Sequence, residues 1–277
     1  MELIWSQPGF KCENEPLNLR NPLVRKHLGI ESWEELYSET ATDKLKTYFS
    51  GYRNGKLHVV EPLFFQNRHY RPITRRIVYK VIHGGEDRIN WFRDTFNARV
   101  VLLLRHPIAV SLSREVYPRL ETFVKSHYKR HFTKDQLERA ANIIATGSKL
   151  EQGVLSWCFQ NAVPLRDVSD DWGIVTYEQL VMEPAPAVRH LAHQLELPNT
   201  KKILDKLDRA SGVLRKSDAE TQRILQDETE KRSLLINKWR KKVNEAEEKR
   251  AMAILSWFDI DVYRPGDVLP ADSFWIS

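Results

Sequence analysis

The sequence predicts an α/β fold organised on a parallel sheet, and three segments predict it. Residues 100–104 (VVLLL) are consecutive aliphatics beginning with two β-branched valines, which reads as a strand buried on both faces. Pro107 then stops the strand, and a helix-compatible segment follows. Residues 173–176 (GIVT) form a second apolar strand running into a short helical stretch, 178–182, closed by Pro184 and Pro186. Upstream, residues 77–82 (IVYKVI) give a third strand, ended by His83 and the adjacent Gly84 and Gly85. Apolar strands separated by long helical patterns are the signature of βαβ units.

The other elements follow from spacing. Residues 31–49 carry Trp33, Leu36, Tyr37, Leu45 and Phe49 at helix-compatible intervals. Residues 133–164 do the same with Leu137, Ala140, Ala141 and Ile144, then Leu150, Val154, Trp157 and Cys158, while Gly147 and Gly153 break or soften the pattern. Residues 201–208 and 219–250 are rich in Lys, Glu, Arg and Asp with opposite signs three or four apart, as on solvated helical faces. At 277 residues and 32.5 kDa, with 42% hydrophobic residues, the chain 1–277 is expected to form one domain with a sizeable core.

Composition narrows the classes of function. The formal net charge of +6 and pI near 9.2 favour anionic partners. No basic-aromatic repeat, zinc-finger spacing or recognition-helix pattern points to nucleic acid. Cys12 and Cys158 are too few for a disulfide framework. His127 and His131 stand four apart but lack an acidic third ligand at motif spacing, so a solvated helical face is expected there and no metal site. No apolar stretch approaches the ~20 residues that span a bilayer, and no secretory signal opens the sequence; a soluble cytoplasmic protein is expected.

Arg105 ends the 100–104 strand, where open α/β sheets place their ligand crevice, and Ser113 follows eight residues later. A phosphate suits this pair. The guanidinium is a permanent planar fork of donors, the serine adds a short neutral donor, and the start of a helix adds unpaired amides. The alternative is an ordinary strand-to-helix turn with a surface arginine.

Arg105, Pro107 and Ser113 resemble the 3′-phosphate-binding signature of sulfotransferases that use 3′-phosphoadenosine 5′-phosphosulfate (PAPS). Residues 172–184 (WGIVTYEQLVMEP) resemble the same family's later strand and helix, whose tyrosine lies against the adenine. The resemblance implies a P-loop NTPase-like fold, a three-layer α/β sandwich with a central parallel sheet. It implies transfer of a sulfuryl group from PAPS to a hydroxyl, or an amine, of a small molecule, lipid or carbohydrate. Arg105, Ser113 and Tyr177 would bind the donor nucleotide, and no metal would be required. Trp157 fits the helix tryptophan upstream of the Tyr-Glu strand and also reads as a core residue.

In that family the strand before the arginine strand ends on a lysine, with a histidine two residues later in many members. Here Lys80 and His83 are three apart, so they share a face only if the strand ends between them. Sulfuryl transfer needs a base at the acceptor and positive charge near the leaving phosphate. His83 and Lys80 are the candidates for these roles, with Glu86 in reserve as the base. Both also read as ordinary turn and strand-end residues. Residues 31–49 and 58–70 would flank the acceptor side, and Arg232, Lys238 or Arg240 would supply a further contact to the 3′-phosphate, the spacing not choosing among them.

The family's opening strand and its glycine-rich 5′-phosphosulfate loop have no counterpart in the sequence. Residues 1–22 resemble instead the helix after that loop, running into the Glu-Pro segment at Glu15 and Pro16. The expectation is that the strand and loop lie in residues ahead of Met1. The alternative is a non-catalytic relative that binds nucleotide or protein without the loop. A nucleotide kinase would need a Walker lysine and a magnesium-holding carboxylate, which the sequence does not offer.

Overall fold

The computed structural model describes residues 4, 7–57, 74–113, 119–207 and 229–276. It is a mixed α/β chain, mostly helical, with two small parallel two-stranded sheets. Its contacts gather into two compact units, Met1–Asn97 with Glu121–His131, and Ala98–Leu120 with Phe132–Ser277.

In the first unit, strand β1 (Phe10–Asn14) pairs in parallel with β2 (Arg76–Lys80), Phe10 opposite Arg76 and Asn14 opposite Lys80. The expected helix leading into Glu15 and Pro16 is therefore corrected to a strand directly before them. Phe10 and Cys12 bury alternate side chains, the period of a strand rather than a helix. Parallel pairing demands a crossover, and helices α1 (Pro22–Leu28), α2 (Trp33–Leu36) and α3 (Ala41–Arg53) lie within it.

The helix expected over 31–49 is thus two helices. Ser32 caps α2 by accepting from Glu35 N–H at 3.1 Å, and Tyr37 ends it. Leu45, Tyr48, Phe49 and Tyr52 on α3 pack with Leu28, Ile30 and Leu36, and Ile77, Tyr79 and Phe92 close over them. Helix α4 (Ile89–Phe96) follows β2. The stretch 58–70, expected beside the acceptor, lies outside the described residues.

In the second unit, β3 (Val101–Leu104) pairs in parallel with β4 (Gly173–Thr176), Val101 opposite Gly173 and Leu104 opposite Thr176. Helix α5 (Pro107–Ser113) starts at the proline that stops β3. The segment Arg119–Lys125 is α6, and His127–His131 forms a 3₁₀ turn; from Glu121 on, this stretch belongs to the first unit. The expectation that β3 is buried on both faces is corrected. Leu104 is 1% exposed, but Leu103 is 55% exposed. Among the described residues β3 pairs with β4 alone, and the cluster of Val175, Ala187 and Leu191 covers Val101 on one face while Leu103, two residues on, stays open.

The helical region 133–164 is two helices, α7 (Lys134–Thr146) and α8 (Lys149–Arg166), each begun by a capping box: Thr133 with Gln136, and Ser148 with Glu151. Gly147 ends α7 as expected. Gly153 does not soften α8; it lies inside the helix, where a Cβ would come within 2.6 Å of Ser111 Cβ, so it permits the close approach of α5. Pro164 sits in the last turn of α8 rather than ending it. After β4 come α9 (Tyr177–Met182), α10 (Pro184–Leu195), α11 (Thr200–Leu207), α12 (Thr229–Asn237), a 3₁₀ turn at Lys238–Lys241 and α13 (Glu245–Trp257), which packs on α8. No helix of the described residues is long and apolar enough to cross a membrane.

Candidate functional site

Arg105 leaves the end of β3 with its carbonyl fixed by the Trp157 indole N–H at 3.1 Å. Trp157 is 4% exposed on α8, so it is the core residue that the sequence suggested, with its indole N–H at the end of β3. The Arg105 guanidinium carbon stands 4.4 Å from the centroid of the Tyr177 ring, a cation–π stack that joins the two separately read segments. Its Nε is buried and has no hydrogen-bond partner among the described residues. An acceptor placed there would answer a donor already removed from water.

Ser113, the last residue of α5, is exposed and donates its hydroxyl to the Val110 carbonyl at 2.9 Å. Arg105 and Tyr177 are thus brought together, while the serine is turned back on its own helix.

Behind Arg105 lies a polar cluster that sequence reasoning missed. The Glu178 carboxylate, 1% exposed, accepts from the His106 backbone N–H at 3.0 Å and from the Tyr263 hydroxyl at 2.7 Å. Burial raises its pKa above the usual carboxylate range, against the opposing pull of those two donors and of Arg105. Burial, with Glu178 beside it, likewise raises Tyr263. His106 is fully buried and stacked on Trp239, ring centroids 4.5 Å apart.

Burial pushes the His106 pKa down to about 3, and the cations Arg240 and Arg105 push the same way. The neutral ring places Nε2 3.1 Å from the Asp267 carbonyl, which only accepts, so the proton is assigned to Nε2. Glu178 stands inside the quoted Tyr-Glu segment and His106 directly after Arg105, but nothing local marks either as buried.

Of the three basic candidates further on, Arg240 donates to the Gly266 carbonyl and adds its charge at His106. Arg232 donates to the Val181 carbonyl at 3.5 Å, and Lys238 opens the 3₁₀ turn.

In the first unit, β2 ends at Lys80, so His83 belongs to a loop and the strand does end between the two candidates. The Lys80 ammonium lies 3.4 Å from Glu15 Oε1 and donates to Asn14 Oδ1 at 3.4 Å. The His83 ring meets Trp33 edge-on, centroids 6.2 Å apart. Glu86, the reserve base, accepts from the Tyr37 hydroxyl at 2.6 Å and from Gly84 N–H at 3.3 Å, and so serves as a brace of the loop. Gly84 needs to be glycine: its φ is 84° and a Cβ would meet Leu36 Cδ2 at 2.5 Å.

The solvated face expected at His127 and His131 is corrected in part. His131 Nε2 lies 3.4 Å from the Asp87 carboxylate, whose side chain is fully buried between Arg88 and Arg130 at 3.7 and 3.6 Å. Burial raises the Asp87 pKa, and these cations oppose it. Among the described residues no group of three or more His, Cys, Asp and Glu side chains is arranged to hold a metal ion. No protein-family model matches this chain, and no curated protein matches it in sequence.

Proposed function

We propose that the protein is a PAPS-dependent sulfotransferase, moving a sulfuryl group to a hydroxyl, or an amine, of a small molecule, lipid or carbohydrate in the cytoplasm. The observation that carries this reading is the stack of Arg105 on Tyr177, with a buried, unanswered Nε. It sets a permanent cation and an aromatic face together at the carboxyl ends of two parallel strands. That pairing fits a ribose phosphate beside a purine.

In this reading Arg105 holds the 3′-phosphate and Tyr177 lies at the adenine, and Ser113 joins the clamp by turning its hydroxyl away from the Val110 carbonyl. His83 takes the acceptor proton as the acceptor oxygen bonds to sulfur. Lys80 balances the charge left on the phosphate oxygen as the sulfur–oxygen bond of the donor breaks. The cations supply the electrostatic stabilisation, so the chemistry has no step that calls for a metal. The finer architecture, a P-loop NTPase-like three-layer sandwich with a central parallel sheet, belongs to the same proposal. It is supported by the parallel sense of both sheets and by the helix that follows each of β2, β3 and β4.

The second reading is a non-catalytic relative that binds nucleotide or a partner protein. It is favoured by the ion pair that occupies Lys80.

Thermal melting tests the proposal. 3′,5′-Bisphosphoadenosine should raise the melting temperature of the full chain, and ATP with magnesium should not. A preference for ATP with magnesium would reject it in favour of a phosphotransferase. Nucleotide binding with no sulfuryl transfer would favour the second reading.

A further inference from the structure

The loop from Val81 to Glu86 is held at both ends by carboxylates. At its far end Glu86 takes the Gly84 N–H and the Tyr37 hydroxyl. At its near end stands Glu15, the first residue after β1. Its own N–H donates to the Lys80 carbonyl at 2.8 Å, continuing the ladder by one step. Its Oε2 accepts from Ile82 N–H at 3.2 Å, and its Oε1 lies 3.4 Å from the Lys80 ammonium. One side chain therefore touches both the cation and the backbone that leads to His83.

The backbone of Glu15 is left-handed, with φ 56°, a conformation in which a non-glycine residue is strained. Its side chain is only 15% exposed. A strained, mostly buried carboxylate is retained at a strand end only when its contacts hold it there, and each carboxylate oxygen has a contact in the candidate catalytic segment, Oε1 with Lys80 and Oε2 with Ile82 N–H.

We propose that Glu15 is a positioning residue. It fixes the Lys80 ammonium with one oxygen and the start of the His83 loop with the other, and so sets where the base and the cation stand relative to each other. It takes no proton from the acceptor. The role deepens the sulfotransferase reading and rests on it only for the word catalytic; the geometry it sets is measurable without turnover.

The test uses the full chain, isotopically labelled, with Glu15→Gln and Glu15→Ala. Glutamine keeps one carbonyl oxygen of the same shape for Ile82 N–H but turns a donor NH2 toward Lys80, and alanine removes both contacts. In Glu15→Ala the Ile82 amide should exchange with solvent about tenfold faster and the His83 imidazole resonance should move, whereas Glu15→Gln should restore both. Protection of the Leu104 and Val175 amides in the other unit reports whether the rest of the chain is intact.

An alanine variant with unchanged Ile82 exchange and His83 resonance would overturn the proposal, as would a glutamine variant that restores neither. If Glu15→Ala unfolds the first unit, Glu15→Gln with Asn14→Ala decides, since the glutamine alone must then hold the His83 resonance in place. Absence of bisphosphoadenosine binding by the wild-type chain would remove the sulfotransferase reading and leave the Glu15 result standing.

Discussion

The imidazole of His106 lies flat on the indole of Trp239, ring centroids 4.5 Å and planes 16° apart, while its backbone N–H is held by Glu178. This stack ties the residue next to Arg105 to the C-terminal 3₁₀ turn. It makes the orientation of the candidate phosphate ligand depend on chain more than a hundred residues away.

Acid should weaken this unit through His106. Its folded pKa, about 3, lies below the ordinary 6.5, so the stability it contributes is complete above pH 6.5 and is lost as pH falls toward 3. Denaturant titrations should show the unfolding free energy falling by up to about 1.4 kcal/mol per pH unit in that window. His106→Gln should flatten the slope. Glu178 acts in the opposite sense: its raised pKa contributes stability that is complete below about pH 4.5 and lost as pH rises through its folded value. Glu178→Gln should therefore gain relative stability toward neutral pH.

Leu103 and Leu104 are neighbours in one strand, yet their substitutions should differ. Leu104→Ala removes a side chain that is 1% exposed and should cost about 2–5 kcal/mol. Leu103→Ser, at a position 55% exposed, should change stability by only about 0.5 kcal/mol. Equal losses in urea titrations would mean that the Leu103 side chain is covered in solution.

Gly84→Ala should damage the His83 loop. The added methyl meets Leu36 and forces a left-handed backbone on alanine, for a cost of about 1–3 kcal/mol. Gly29→Ala is the control, because its φ is also positive, 67°, but nothing stands within 4 Å of the added carbon. The difference between the two melting temperatures isolates the contact with Leu36.

His83→Ala should leave bisphosphoadenosine binding unchanged and remove the acidic limb of the pH–rate profile for sulfuryl transfer. Unchanged turnover with an unchanged profile would take the base assignment away from His83.

Strands β2, β3 and β4 were legible because aliphatic runs stopped by proline, by glycine or by a helix start are local signals, although β2 stops at Lys80, two residues short of the expected end at Ile82. β1 was not, because its period of two covers only Phe10–Asn14 and includes a buried carboxylate, Glu13, which a hydropathy pattern scores as exposed. The break between α7 and α8 was written in the sequence as Ser148-x-x-Glu151, a capping signal that outweighs the apolar periodicity running across it.

At the candidate site, Arg105 and Tyr177 were found from their segments. The buried states of His106 and Glu178 were not, because burial there is imposed by Trp239 and Tyr263. Nor could spacing reveal that Lys80 faces Glu15, a contact created only by the parallel register of β1 and β2.

The most direct measurement is calorimetric titration of the wild-type chain and Arg105→Ala with 3′,5′-bisphosphoadenosine and with 5′-AMP, which lacks the 3′-phosphate. The wild type should prefer the 3′-phosphorylated nucleotide by about tenfold or more, and Arg105→Ala should bind the two alike. Equal affinity of the wild type for both nucleotides, or a preference that survives loss of the guanidinium, would contradict the account.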